Sequence, residues 1–378
     1  MSGGGGGSDQ REGPERADGL DLPSILARLD ADDPETQREA VTTVREVVDE
    51  RPSACTPTVP KLRALLGRPE VDCDEGIVAC LATLAADSPT DVAPSTDEIV
   101  AFVASTTSSQ ARTTAFRCLV SIATHRPGAV VDHVDSLVDV LEADLDEWGL
   151  SLVSALTRTH PQAITSAVPV LVTALECDPE RYGSTACAAL GRLVRVEPGV
   201  GTEAEVVETL VSLVRTADPP LRATAVDCLG GVAAHEPTAV EAAVPAIARA
   251  LESQTLEVRV TAARTIARVA AGTETTIDPA RERLWDRLDD ADPAVRRNAC
   301  LALGYGGSLE ARERLEALSR TDPNVTVRNC ASWAVDEISA SGTDADRDST
   351  TGLGFELGSS SGSGPRFEPT CRPGPELE

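Results

Sequence analysis

Histidine, cysteine and arginine are the side chains here that could do chemistry, and their spacing decides which kind. Histidine serves near neutral pH as a metal ligand or proton carrier. There are four: His125, His133, His160 and His235. Three of them stand just ahead of a proline in short turns, separated by 35 and 75 residues. A metal centre needs converging ligands, which that spacing does not arrange, so no metal and no cofactor is expected. Ten cysteines invite a zinc or disulfide reading, but there is no C-x-x-C pair. Cys80, Cys118, Cys187, Cys228, Cys300 and Cys330 lie within helical patterns, where a free thiol behaves as a small apolar group. Arginine is left. Every one of the 34 basic residues is arginine except Lys61. A guanidinium presents a planar fork of donors that engages two carboxylate oxygens at once. The chemistry on offer is recognition of anionic groups.

What positions those arginines is a repeat. HEPTAV (235–240) echoes RPGAVV (126–131), with RPSAC (51–55), SPTDV (88–92), HPQAI (160–164) and EPGVG (197–201) between and before them. Their prolines are spaced 34 to 39 residues apart, a period that marks stacked repeats. Two amphipathic segments lie between successive turns. The first reads VPKLRALL (59–66), VPVLVTAL (168–175) and VPAIARAL (244–251), with apolar residues at i, i+3 and i+7 and proline at the first helical position. The second is clearest in DPAVRRNACLALG (292–304), where Asp caps the helix and Pro opens it. Aligning the second segments puts a buried anchor at Ala40, Cys80, Ala115, Leu152, Ala186, Ala225, Ala262, Ala299 and Ala331, each followed four residues on by an apolar side chain.

The unit VPAIARALES…LEVRVTAARTIARVA resembles a HEAT repeat, and DPAVRRNACLALGYG resembles its HEAT-like, phycobilisome-lyase-type form. The resemblance covers roughly residues 20–340. It implies an all-α fold, a right-handed α-solenoid of about nine helix pairs, with second helices lining the concave side and first helices the convex side. Stacking is required because one pair cannot bury its apolar face alone. The arginine three before the anchor is present at Arg112, Arg222, Arg259, Arg296 and Arg328, and departs to Gln37, Ile77, Gly149 and Gly183, so a side-chain ladder should be interrupted in the N-terminal half. Some HEAT-like enzymes bind iron through several His-Glu pairs. Only His235-Glu236 occurs here, and no enzyme is expected.

Composition agrees with a stack that needs no central core. Hydrophobic residues make up 41% but aromatics only 2%, so Ala, Val and Leu must fill the interior. The net charge of −27, with arginine in place of lysine, resembles proteins of halophilic archaea. In concentrated salt, binding driven by counterion release from nucleic acid would be weak. No secretory signal is visible at the start. The most apolar stretch, roughly 161–175, is broken by Pro161 and Pro169 and is a poor membrane span. The expectation is a cytoplasmic monomer without membrane or nucleic-acid contact. Residues 1–19 and 341–378, rich in Gly, Ser, Asp and Pro, are expected to be disordered.

Counting 100° per residue from the anchor places positions −2, +2 and +6 of the second helices away from the core. They hold Arg117, Arg158, Arg192, Arg264, Arg268 and Arg297, with Ser154, Asp227, Leu301 and Tyr305 alongside. The first helices are acidic instead, as residues 131–147 show. Thr114, Ser151, Thr185, Thr224, Thr261 and Asn298, one before the anchor, are expected at helix seams. Trp148 and Tyr182 are expected in the core, Trp285 in the first-helix stripe and Trp333 over the open end of the stack. In the tail, Phe355, Leu357 and Phe367 form two short motifs, GFEL and RFEP, that could dock in a groove. The sequence therefore points to a non-catalytic scaffold that binds a protein partner, such as an acidic segment, along an arginine-bearing concave face. A nucleic-acid-associated HEAT protein, and a HEAT-like enzyme or lyase-type chaperone, are the alternatives.

Overall fold

The protein is described by a computed structural model covering residues 21–273 and 277–350, with side chains as far as Ala340. Nine helix pairs follow one another. They are α1 (Leu22–Leu29) with α2 (Pro34–Val48), α3 (Val59–Leu65) with α4 (Asp74–Asp87), and α5 (Thr96–Ser105) with α6 (Ser109–His125). Next come α7 (Val134–Ala143) with α8 (Glu147–Leu156), α9 (Val168–Cys177) with α10 (Pro179–Val196), and α11 (Ala204–Thr216) with α12 (Pro219–Ala233). The last are α13 (Val244–Ala250) with α14 (Leu256–Gly272), α15 (Asp278–Arg287) with α16 (Pro293–Tyr305), and α17 (Arg312–Thr321) with α18 (Val325–Thr350). No strand occurs among the described residues.

Local chemistry sets the helix starts. Asp33, Asp178, Asp218 and Asp292 stand ahead of a proline, and each carboxylate accepts a first-turn backbone N–H, from Thr36, Arg181, Leu221 and Ala294 respectively. Proline follows at no cost because that position has no intrahelical acceptor for its N–H. The nine anchors are buried to 1% exposure or less, so the period read from the sequence is the period of the core. The residues four further on are equally buried through Leu303, while Val335 is only partly covered.

The proline motifs between repeats prove to be short stretches of α- or 3-10 helix, among them Pro89–Val92, Pro161–Ala167 and Pro237–Ala243. The residue three after each proline (Cys55, Val92, Val130, Ile164, Gly201, Val240) is buried and plugs the edge between neighbouring pairs. At Gly201 a Cβ would run into Val232 and Val194, so glycine serves where the plug is already filled.

The even-numbered helices pack closely on one another from α10 to α18, whereas the odd-numbered ones meet their own kind more sparsely. A stack with one dense and one open row curves toward the dense row. The even helices therefore form the concave face.

Two tryptophans depart from expectation. Trp148 is 40% exposed and Trp285 38% exposed, while Tyr182 is buried as expected. Beside Trp148, Gly149 lets Leu141 come so close that a Cβ there would collide with its methyl group. Leu141 fills the space beside Gly149, and the neighbouring indole lies at the surface.

Candidate functional site

Two sets of arginines must be separated before a site can be drawn. The first is structural and lies three before the anchor. Arg259 grips the Asp290 carboxylate through Nε at 2.8 Å and Nη2 at 3.2 Å, and donates Nη1 to the carbonyls of Ser253 and Gln254. Arg296 repeats this one pair later, with Asp322 at 2.8 and 3.0 Å and the carbonyls of Asp290 and Ala291. Arg328 ends the series on the carbonyls of Asp322 and Pro323. Burial acts to raise the pKa of Asp290 and Asp322, but hydrogen bonds from their arginine and a backbone N–H outweigh it and hold both below the ordinary carboxylate value. Earlier the ladder is looser. Arg112 reaches the exposed Asp144, Gln37 caps the carbonyls of Leu29 and Ala31 in place of an arginine, and Gly149 and Gly183 have no side chain to offer.

The second set faces the groove. Arg192, on α10, reaches back to α8, donating Nε to Thr157 Oγ1 (3.0 Å) and Nη2 to the hydroxyl and carbonyl of Ser154 (2.6 and 3.1 Å). Arg268, on α14, reaches back to α12 in the same way and donates Nη1 to the Gly230 carbonyl at 2.7 Å. Both acceptors are neutral. Burial, then repulsion from Arg158 and Arg195, lowers the guanidinium pKa of Arg192; burial, then Arg264, lowers that of Arg268. Between them, Asp227 of α12 is bound by Arg195 of α10 (2.6 Å) and by Arg264 of α14. Arg195, Arg264 and Arg268 thus gather at a single carboxylate, and Arg192 and Arg158 continue the basic run beyond Arg195.

Gly230 is what allows this approach: a Cβ there would collide with Thr265 Oγ1 and crowd the Arg268 guanidinium. The remaining sequence candidates lie apart from the cluster. Arg117, on α6, is exposed and forms no side-chain bond among the described residues. Arg297, on α16, donates to the side-chain carbonyl of its neighbour Asn298. Leu301 and Tyr305 follow it at successive turns of α16, both partly buried. Tyr305 packs on Trp333 of α18 with ring centroids 4.5 Å apart, and Gly304 leaves room for the indole. Trp333 therefore leans back onto α16, not out over the end of the stack. Phe355, Leu357 and Phe367 lie outside the described residues.

The sequence reading missed Arg195. It sits nine after its anchor, about 180° round the helix and so directly opposite the core, but only positions −2, +2 and +6 were counted. Its spacing of three from Arg192 near the end of a long helix was a further signal. Of the residues expected at seams, Asn298 Nδ2 donates to the Val260 carbonyl of the preceding inner helix at 3.4 Å, whereas the hydroxyls of Thr114, Thr224 and Thr261 bond carbonyls of their own helix. Other chemistry does not assemble. Among the described residues no three His, Cys, Asp or Glu side chains converge as metal ligands, and burial pushes the thiols of Cys80, Cys118, Cys187 and Cys300 up to about 12.

With dense inner and sparse outer rows on the page, the likeness to known proteins falls into place. Residues 207–290 and 282–349 match the HEAT repeat model. The match covers the C-terminal part that holds Arg222, Arg259, Arg296 and Arg328. No curated protein matches the chain. Among solved structures, the crystal structure of an engineered protein aligns over 86% of this chain and 91% of its own, with a TM-score of 0.65 at 23% identity. That likeness concerns the fold alone, an all-α solenoid. No helix among the described residues is long and apolar enough to cross a membrane.

Proposed function

We propose that the protein is a non-catalytic scaffold that binds a protein partner along its concave face, taking an acidic segment against Arg158, Arg192, Arg264 and Arg268, with Arg117 and Arg297 at the flanks. One contrast carries this reading. The spine arginines Arg259 and Arg296 are matched by buried carboxylates, whereas Arg192 and Arg268 hydrogen-bond only neutral acceptors. A guanidinium fixed in this way suits an incoming carboxylate because its ordering has already been done. The acidic shell and near-absence of lysine support a chain working as a monomer in a salty cytoplasm. Salt screens exposed pairs, so several aligned contacts and apolar help from Leu301 and Tyr305 are needed.

The test is recovery of partners from native high-salt lysate by the wild type and by a variant with Arg192, Arg264 and Arg268 replaced by Ser. Loss of recovered protein with folding intact supports the groove, and unchanged recovery removes it. Recovery of nucleic acid alone, surviving high salt, would favour a nucleic-acid role instead. Deleting residues 341–378 tests a further part of the reading, that Phe355, Leu357 and Phe367 occupy the groove until a partner displaces them; recovery should then rise.

A further inference from the structure

The groove carries a register. Position +6, six residues past the anchor, is Arg158 after α8, Arg192 on α10, Gly231 on α12, Arg268 on α14 and Tyr305 on α16, a run bounded by Ser121 before it and Glu337 after it. The side chains at these places share a habit. Arg192 and Arg268 each lean back on the preceding inner helix, and Tyr305 leans forward onto Trp333. The row therefore reads basic, basic, interrupted, basic, aromatic. The interruption is no empty slot. Gly231 is buried with Arg195 folded close to it, and that guanidinium is spent on Asp227 together with Arg264. At this one step the groove presents a carboxylate of its own.

Resting on the acidic-segment reading above, we infer that the groove selects an extended peptide with this pattern: two acidic positions, a non-acidic position facing Asp227, a third acidic position, then an apolar side chain against Leu301, Tyr305 and Trp333. Packed helices lie about 8–10 Å apart and an extended chain advances about 3.3 Å per residue, so successive positions are about three residues apart. The whole pattern spans about thirteen residues across five repeats. Asp227 is then the specificity-determining residue. It already occupies the Arg195 and Arg264 guanidinium groups, so an acid placed opposite it is desolvated without gaining a partner, and a uniformly acidic chain fits less well than an interrupted one. The aromatic ledge fixes the register by accepting one apolar side chain at the end of the basic row.

The test uses the full-length protein and labelled synthetic peptides, with glutamates at the three acidic positions, Ser at the middle one and Phe at the last, made in both chain directions. Fluorescence anisotropy is read in low and in molar KCl. The better direction should bind roughly tenfold more tightly than the same peptide with Glu at the middle position, the scale of one unfavourable charge contact. Asp227→Asn should bring those two peptides to near-equal affinity, a readout that simple loss of a structural ion pair would not produce. Replacing the peptide's Phe by Ala should weaken binding to the wild type and leave binding to Tyr305→Ser unchanged, with Leu301→Ser as a second variant should Tyr305→Ser lose helical circular dichroism. Equal binding of the Ser and Glu peptides to the wild type, or a preference that persists in Asp227→Asn, overturns the register while leaving an acidic-peptide groove standing. No binding of any acidic peptide overturns both.

Discussion

Asp322 is 2% exposed at its side chain and held by both nitrogens of the Arg296 fork, so it shows what a single residue contributes to the stack. Removing one member of such a pair strands a buried charge, which costs about 3–5 kcal/mol. Arg296→Ala also uncaps the carbonyls of Asp290 and Ala291, so the loss should reach the upper part of that range, read as a shift of the denaturant midpoint. The same carboxylates set an acid limit. Asp290 and Asp322 have folded pKa values below the ordinary one near ~3.9, so their contribution is complete above that value and is lost as pH falls through the folded value. Between about pH 5 and pH 2 the wild type should lose stability that Asp290→Asn and Asp322→Asn variants, already lacking it, do not lose further. The glycines also act one residue at a time. Gly149 and Gly230 are positions where a neighbour's approach leaves no room for a Cβ, and each decides where a larger side chain ends up.

At the scale of elements, the Asp-Pro helix starts are local instructions. Asp292→Ala should destabilise the protein by about 1 kcal/mol through loss of the cap on α16, and Asp292→Asn should restore most of it, measured by urea denaturation. These starts were legible in the sequence because a cap, a proline and an apolar period all sit within a few residues of one another. The buried anchors were legible for the same reason. The groove was legible only in outline. Helical angle places Arg192 and Arg268 outward, but whether a guanidinium meets a carboxylate or a carbonyl depends on the neighbouring helix, whose registry no local pattern encodes. Arg195 was legible by angle, since nine residues past its anchor it stands directly outward, but it lies beyond the positions that were counted. Trp148 went the other way, exposed beside a Gly149 against which Leu141 packs from the neighbouring helix.

For the whole molecule, stability is a sum over repeats and their interfaces. A net charge of −27 repels itself in dilute buffer, while the buried ladder is screened little, so stability should climb steeply as KCl is raised from millimolar to molar levels. A melting curve that falls with added KCl would contradict this. The interfaces are also unequal. Pairs from α13 to α18 are cross-linked by Arg259–Asp290 and Arg296–Asp322, whereas Gly149 and Gly183 stand at the corresponding places on α8 and α10. Hydrogen exchange should find amides of α2 to α8 opening at lower free energy than those of α14 and α16. Uniform protection along the chain would mean that the ladder carries none of this difference.

The sparse outer row and the one-sided ladder have a mechanical consequence. A coil whose windings touch firmly along only one edge behaves as a spring. Here its stiffness is graded, with a braced C-terminal end and a compliant N-terminal one. Pulled from both ends, the N-terminal windings should extend at lower force, and the curvature around Arg158 and Arg192 should relax before that around Arg268. Tension would then loosen one end of the groove while the aromatic ledge on α16 and α18 kept its shape, making hold on a bound chain depend on the direction of the load.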